Sequence, residues 1–175
     1  MKHSALSALF LLASVSAAAT TPLWLRDVQI SPDGTKIAFC YKGDIWTVPS
    51  DGGTATRLTT RDSYESYPVW SPDGSLIAFA SDRNGGNDVF VMPSAGGSAT
   101  RLTYNSVSEL PTAFTPDGER VLFIAAIQDP AESALFPTTS LKEVYSVSVK
   151  GGAVRQVLGT PAEMINYSPK GDFFL

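Results

Sequence analysis

Histidine and cysteine are almost absent from this sequence. Its 175 residues include one histidine, His3, and one cysteine, Cys40. One cysteine cannot form an internal disulfide or a cysteine-based zinc cluster. Beyond His3 the chain has no imidazole to activate a serine or cysteine nucleophile or to bind a metal. We therefore expect no catalytic residue, no cofactor site and no metal site in this chain.

Charged residues are also scarce. They make up 17% of the chain, and 13 Lys and Arg against 17 Asp and Glu give a net charge of −4. A protein that neutralises nucleic-acid phosphates needs a basic patch. The basic residues here form no cluster, so we expect no nucleic-acid partner.

No apolar run is long enough for a membrane-spanning helix, which needs ~20 residues. The most prominent run, residues 5–15, follows the basic start Met1-Lys2-His3 and precedes the small residues Ser16–Ala19. This order is typical of a secretory signal peptide. We therefore predict a signal peptide over residues 1–19, no membrane span, and an exported protein that is periplasmic or extracellular.

The rest of the sequence is repetitive. A four-residue turn motif recurs at intervals of 40, 44 and 53 residues: Ser31–Gly34, Ser71–Gly74, Thr115–Gly118 and Ser168–Gly171. A Gly pair follows each of the first three copies, at Gly52-Gly53, Gly96-Gly97 and Gly151-Gly152. Because Pro presets φ and Gly accepts positive φ, both features are typical of tight hairpins.

Each repeat is predicted to form four antiparallel strands. In the first repeat these are Trp24–Ile30, Lys36–Tyr41, Asp44–Val48 and Ala55–Thr59. Segments 76–80 and 121–126 are continuously apolar, which is typical of strands buried on both faces.

A four-stranded sheet covered on both faces and repeated every ~40–45 residues indicates a propeller blade. We therefore predict an all-β fold, a β-propeller of four-stranded antiparallel blades, with three blades and the start of a fourth. The predicted partial propeller spans residues 20–175, with blades at about 24–60, 66–104 and 110–160 and a fourth beginning at 164.

The chain stops at an apolar segment, 172–175, inside the predicted second strand of the fourth blade. Since propellers close with typically 4–8 blades, we expect these residues to be the N-terminal part of a longer polypeptide. A partial propeller would leave sheet faces and a strand edge open. That predicts low stability or association, including homo-oligomers.

Three other features have a structural and a functional interpretation. Cys40 lies in an apolar strand, which favours a buried thiol over a reactive one. Residues 81–88 are rich in Asp and Asn, but a turn is favoured over a calcium loop because the EF-hand spacing is missing. An interblade core is favoured over a ligand cage for the aromatic residues Trp24, Phe39, Trp46, Trp70, Phe79, Phe90, Phe114 and Phe123.

The longest predicted connection, residues 128–142, interrupts the third repeat. Loops of more than ~12 residues are often functional. Antiparallel order places this loop at the same edge of the blades as residues 61–67. The candidate partner- or substrate-facing residues are Leu135, Phe136, Tyr64 and Tyr67. The apolar Leu135 and Phe136 either dock onto another domain or pack back onto the blade, and the sequence leaves both open.

Two family resemblances follow from these motifs. Trp70–Arg83 followed by Asp88–Met92 resembles the TolB-type propeller repeat, which several families share. A closer resemblance, covering essentially the whole chain after residue 19, is to the N-terminal region of exported tricorn-type serine peptidases. It is carried by Thr21–Arg26, Tyr41–Trp46, Ala125–Pro130 and Leu135–Pro137.

The second resemblance implies a non-catalytic propeller that guides or filters peptides toward a peptidase core further along the same polypeptide. Its partners would be peptide substrates or the peptidase domains of that polypeptide. Two alternatives stay open: a TolB-like periplasmic protein-binding scaffold, and the propeller of a prolyl-oligopeptidase-type enzyme. TolB itself is disfavoured, because it places an α/β domain before its propeller and here a strand is predicted from Trp24.

Overall fold

A computed structural model describes residues 24–127, 142–158, 162, 165, 167 and 168. The described residues form twelve strands: β1 (Arg26–Ile30), β2 (Lys36–Tyr41), β3 (Asp44–Pro49), β4 (Thr56–Arg57), β5 (Glu65–Trp70), β6 (Leu76–Ser81), β7 (Asp88–Pro93), β8 (Thr100–Arg101), β9 (Glu109–Phe114), β10 (Arg120–Ala125), β11 (Glu143–Ser148) and β12 (Arg155–Leu158). No helix occurs among them.

The strands form three antiparallel sheets of four, each in chain order: β1 to β4, β5 to β8, and β9 to β12. The first strand of the second and third sheets packs against the first three strands of the preceding sheet. This stacking is that of consecutive propeller blades, and it confirms the predicted fold class. Within the described residues the three sheets do not close into a ring.

The hairpin between the first two strands is built by the predicted turn motif. In the second sheet Ser71 Oγ donates a hydrogen bond to Asp73 Oδ1 (2.6 Å) and accepts one from Leu76 N (2.9 Å). Asp73 also accepts hydrogen bonds from Ser75 N and Oγ, and Gly74 has a φ of 71°. The Asp73 carboxylate therefore stabilises the turn through these hydrogen bonds, in addition to tolerating the backbone angles of the turn.

Two apolar clusters hold the sheets together. Ile45, Trp70, Ile77 and Phe79 belong to the cluster between the first and second sheets, which includes Cys40. A second cluster joins the second and third sheets and includes the fully buried Phe123. Burying one such side chain stabilises the fold by about 1.5–3 kcal/mol. Cys40 is buried as predicted, and burial raises the pKa of its thiol.

One aromatic prediction is wrong. Trp24 precedes β1 and is 84% exposed instead of lying in an interblade core, and Val28 and Ile30 on β1 are also exposed. Only the second sheet packs against the first, so no described sheet covers the other face of β1. Trp46 is half-buried, with its ring edge against Tyr41.

The predicted fourth blade falls mostly outside the described residues. Of this segment the structure describes Ile165, which is buried in a cluster with Leu110, Leu122 and Val144 of the third sheet. Among the described residues, no helix has the length and apolar character needed to cross a membrane.

Candidate functional site

Two rows of buried carboxylates mark one edge of the stacked sheets. The carboxylates of the first row belong to the first residue of the third strand of each sheet, and those of the second row belong to the first residues of β5 and β9. The carboxylates are Asp44, Asp88, Glu143, Glu65 and Glu109. The motif turns that contain Asp33, Asp73 and Asp117 lie at the opposite ends of the strands. This is therefore the edge at which the longer loops were predicted.

In the first sheet, Asp44 joins the third strand to the fourth. Its carboxylate forms an ion pair with Arg57 (2.6 Å) and accepts a hydrogen bond from Thr59 Oγ1 (3.2 Å). Thr59 Oγ1 accepts a hydrogen bond from the backbone of Ile45 (2.9 Å). The arrangement pairs a buried charge and holds the outer strand against the sheet, which is a structural role.

The second sheet repeats this arrangement. Asp88 pairs with Arg101 (2.8 Å), and Thr103 Oγ1 accepts a hydrogen bond from Val89 N (2.9 Å). The Arg101 guanidinium also stacks on the ring of Tyr104, 4.5 Å from its centroid. One oxygen of this carboxylate, Asp88 Oδ2, has no hydrogen-bond partner.

Glu65, at the start of β5, accepts three hydrogen bonds on one oxygen, whereas its other oxygen, Oε2, has no partner among the described residues. Its Oε1 accepts hydrogen bonds from Arg83 Nη2 (2.9 Å), Ser81 Oγ (3.0 Å) and Ser63 Oγ (2.5 Å). The Arg83 guanidinium lies over the ring of Phe90, 4.3 Å from its centroid. The buried charge of Glu65 is therefore compensated by an arginine of its own sheet.

Glu109, at the start of β9, has no ion-pair partner among the described residues. Its Oε1 accepts a hydrogen bond from Asn105 Nδ2 (2.6 Å), and its Oε2 has no partner. Burial raises the pKa of Glu109, and the neighbouring charge of Asp88 adds to the increase, while hydrogen bonds with Thr103 and Asn105 oppose it. Ionisation of this carboxyl is therefore unfavourable in these surroundings.

Glu143 of the third sheet is held by neutral groups. Its Oε2 accepts hydrogen bonds from Tyr145 Oη (2.6 Å) and Gln156 Nε2 (2.8 Å). Gln156 stands opposite Tyr145 in the sheet, as Arg101 stands opposite Phe90 in the preceding one.

A cleft of about 380 Å³ opens between the second and third sheets, beside these groups. One of its walls is formed by the connection after β8, and the other is formed by the third sheet. Its lining includes Thr103, Tyr104, Asn105, Ile127, Tyr145 and Gln156. Aromatic rings, amide groups and an aliphatic side chain together suit a ligand that has both apolar and polar parts.

Of the four residues predicted to face a partner or substrate, Tyr64 and Tyr67 do not line this cleft. Leu135 and Phe136 lie outside the described residues. Tyr64 and Tyr67 are 37% and 45% exposed and lie near the first sheet. Arg26 lies over the Tyr64 ring at 5.2 Å, and Tyr67 N donates a hydrogen bond to Asp27 Oδ2 (3.2 Å).

Residues 81–88 tie neighbouring strands together. Asp82 Oδ1 accepts a hydrogen bond from Tyr64 N (2.7 Å), and Asn87 Nδ2 donates one to Ser108 Oγ (3.1 Å). Within the part of the chain that the structure describes, no group of three or more His, Cys, Asp or Glu side chains is placed to hold a metal ion.

The cleft residues were missed by the sequence reasoning, although the repeat contained a signal for them. Aligning the repeats places Ile127 where the preceding repeat has Arg83, and Gln156 where it has Arg101. Substitution of an arginine by a neutral residue at two positions of one repeat would have marked this edge of the third sheet.

The fold and the stacked sheets define a β-propeller protein, and comparison with known proteins places it in a family. Residues 22–175 match the family model of the tricorn protease N-terminal beta propeller domain. The chain therefore belongs to this family.

Relatives support the same assignment. Tricorn protease homolog 1 of Streptomyces coelicolor is 38% identical over 64 residues, which are 37% of this chain and 6% of the relative. The structure of a putative TolB from Agrobacterium tumefaciens aligns with a TM-score of 0.65 and 28% identity, over 79% of this chain and 50% of that one. The tricorn protease structure aligns with a TM-score of 0.54 and 13% identity, over 71% of this chain and 13% of that one, and shows the shared fold. The chain thus spans only a small part of the curated relative.

Proposed function

We propose that this chain is the non-catalytic propeller portion of an exported tricorn-type serine peptidase, and that it guides or filters peptides for a peptidase core in the same polypeptide. The family match over residues 22–175 carries the proposal. The cleft between the second and third sheets supports it, because it offers aromatic and amide groups to a peptide at one edge of the blades. The signal-peptide pattern of residues 1–19 supports export.

The proposal is tested by peptide hydrolysis with the intact protein. Cleavage of a ten-residue peptide and of a short fluorogenic substrate is measured for the intact parent protein, without substitution, and for its Tyr104→Ala variant. The substitution removes an exposed ring from the cleft wall. A guiding role predicts a higher KM for the long peptide and unchanged cleavage of the short one. Glu119→Ala, an exposed substitution near the opposite edge, is the control. Absence of any peptide hydrolysis by the parent protein would overturn the proposal.

A second candidate is a TolB-like scaffold that binds other proteins without catalysis. The alignment with the putative TolB structure over 79% of this chain favours it. It predicts no hydrolysis of either substrate and a stable complex with a protein partner from the same compartment. Both candidates predict export, so an export assay does not separate them. Peptide hydrolysis does.

A further inference from the structure

The second sheet contains a complete binding place for a guanidinium group. Arg83 lies with its guanidinium 4.3 Å from the centroid of Phe90 and 5.5 Å from that of Phe79. Its Nη2 donates to Glu65 Oε1 (2.9 Å) and its Nε donates to Ser81 Oγ (2.8 Å). A planar cation stacked on aromatic rings and paired with a carboxylate is the arrangement that arginine suits best.

The third sheet retains the carboxylate and the rings of this place, with Ile127 in the position of Arg83 and Ala125 in the position of Ser81. Glu109 stands opposite Ala125 as Glu65 stands opposite Ser81, so Ile127 occupies the position of Arg83. The aromatic platform is retained. Phe123 and Tyr145 stack with centroids 5.8 Å apart and planes at 26°, against 5.8 Å and 23° for the pair beneath Arg83.

The carboxylate is retained as well, and it is incompletely bonded. Glu109 is 0% exposed, and its Oε2, like that of Glu65, has no hydrogen-bond partner among the described residues. What Glu109 lacks there is the cation that Glu65 has in Arg83. An isolated carboxylate in such surroundings is costly unless a cation pairs with it. Glu109 bonds Asn105, whose side chain lines the cleft together with Ile127 and Tyr145. Ile127 and Tyr145 thus line the cleft, and Asn105 connects its wall to the buried Glu109 carboxylate.

A second position that holds an arginine in the second sheet holds a neutral residue in the third. Gln156 lines the cleft at the register position that Arg101 holds in the second sheet. Gln156 and Tyr145, both neutral, donate hydrogen bonds to the Glu143 carboxylate. Two buried carboxylates, Glu109 and Glu143, thus accept hydrogen bonds from residues that line the cleft: Asn105, Tyr145 and Gln156. No lysine or arginine is among the described residues that line it.

We propose that the cleft between the second and third sheets binds the arginine side chain of a peptide, with its guanidinium stacked on Tyr145 and paired with Glu109, in the place that Arg83 fills in the preceding sheet. The proposal rests on the proposed function, since it names the side chain of the peptides that the propeller guides. A lysine ammonium would supply the charge but not the planar stacking group, so arginine is the preferred ligand.

The proposal is tested by calorimetric titration of the intact protein with three blocked tripeptides: acetyl-Ala-Arg-Ala-amide, its lysine analogue, and its citrulline analogue. Citrulline has the shape of arginine without its charge. The arginine peptide should bind about tenfold or more tightly than the citrulline peptide, with lysine between them. Equal affinities for arginine and citrulline, or no binding of the arginine peptide, would overturn the proposal.

Two variants locate the binding. Ile127→Arg supplies the missing arginine from the chain itself and should weaken binding of the arginine peptide about tenfold or more. Ile127→Met is its matched control, since it fills similar space without charge and should retain binding. Glu109→Gln removes the negative charge with little change of shape. It therefore tests the role of the carboxylate even if Ile127→Arg fails to fold. Unchanged arginine binding in Glu109→Gln would overturn the assignment to this cleft.

Binding and hydrolysis separate this proposal from the proposed function. If the arginine peptide binds in the cleft but the intact protein cleaves no peptide, the arginine site stands and the peptidase function fails. If peptides are cleaved, but arginine and citrulline peptides bind equally and Ile127→Arg changes nothing, the peptidase function stands and the arginine site fails.

Discussion

Ile127 lies in the third sheet at the position that Arg83 occupies in the second, two residues beyond the strand residue paired with a buried glutamate. In the second sheet this position completes an ion pair with Glu65. In the third it is occupied by Ile127, and Glu109 has no ion-pair partner among the described residues. The same blade pattern therefore serves stability in one repeat and creates a candidate binding site in the next.

Removing Arg83 should be strongly destabilising. The Arg83 side chain is 14% exposed and that of Glu65 is 0% exposed, so Arg83→Met leaves a buried carboxylate without its cation. Breaking such a pair costs about 3–5 kcal/mol of unfolding free energy. Urea unfolding measures the loss. The double variant Arg83→Met with Glu65→Gln, which also removes the buried charge, should recover part of it. A loss below about 0.5 kcal/mol in the single variant would contradict this assignment.

Glu109 should make the protein less stable as the pH rises. Because burial raises the pKa of Glu109 above its ordinary value of 4.5, its stabilising contribution is complete below pH 4.5 and is lost as the pH rises through the folded-state pKa. Asp88, with its ion-pair partner Arg101, is the charged group that faces it. Glu109→Gln should therefore be at least as stable as the parent protein at pH 7 and should lose less stability between pH 4.5 and 8. Identical pH profiles in urea unfolding would contradict this expectation.

Asp73 should have the opposite pH dependence. The hydrogen bond from Ser71, followed by those from Ser75, lowers the pKa of Asp73 to about 2. Its contribution is therefore present above the ordinary pKa of 3.8 and is lost as the pH falls toward 2. Asp73→Asn should lower the melting temperature at pH 7 and reduce the change in melting temperature between pH 4 and 2, followed by circular dichroism. Asp51→Asn, an exposed substitution in a hairpin turn, is the control. A parent-like acid profile for Asp73→Asn would argue against this role of the turn.

The glycine that ends each motif turn should be required for its backbone conformation rather than for space. Gly118 has a φ of 71°, and a Cβ at this position would meet Pro72 Cδ at an ordinary 3.7 Å. Gly118→Ala should therefore cost about 1 kcal/mol of unfolding free energy through the left-handed backbone alone. Gly86→Ala is the matched control, since a Cβ there would lie 3.8 Å from Ser106 O and Gly86 does not have a positive φ. Equal stabilities of the two variants would contradict the argument.

The strands could be predicted from the sequence because their signals are local. Lys36–Tyr41 is a strand with the predicted bounds, since the turn motif and the Gly pair delimit each central hairpin. The outer strand is shorter than predicted, Thr56–Arg57 instead of Ala55–Thr59. Thr59 bonds Asp44 through its side chain instead of continuing the strand.

The site depends on contacts between repeats, which a local pattern does not contain. The cleft forms where the connection after β8 meets the third sheet, and its walls come from residues about 40 positions apart, such as Asn105 and Tyr145. The contact between Tyr67 and Asp27 likewise joins two sheets. The position of Trp24 in the repeat predicts an interblade core, but its exposure depends on which sheets stack against β1. Aligning the repeats position by position recovers part of this information, as Ile127 and Arg83 show.

The most direct test of the account is a crystal structure of the intact protein with acetyl-Ala-Arg-Ala-amide bound. We expect the peptide guanidinium within about 6 Å of the Tyr145 ring centroid and about 2.7–3.2 Å from a Glu109 carboxylate oxygen. A peptide bound elsewhere, or an empty cleft at a saturating peptide concentration, would contradict it.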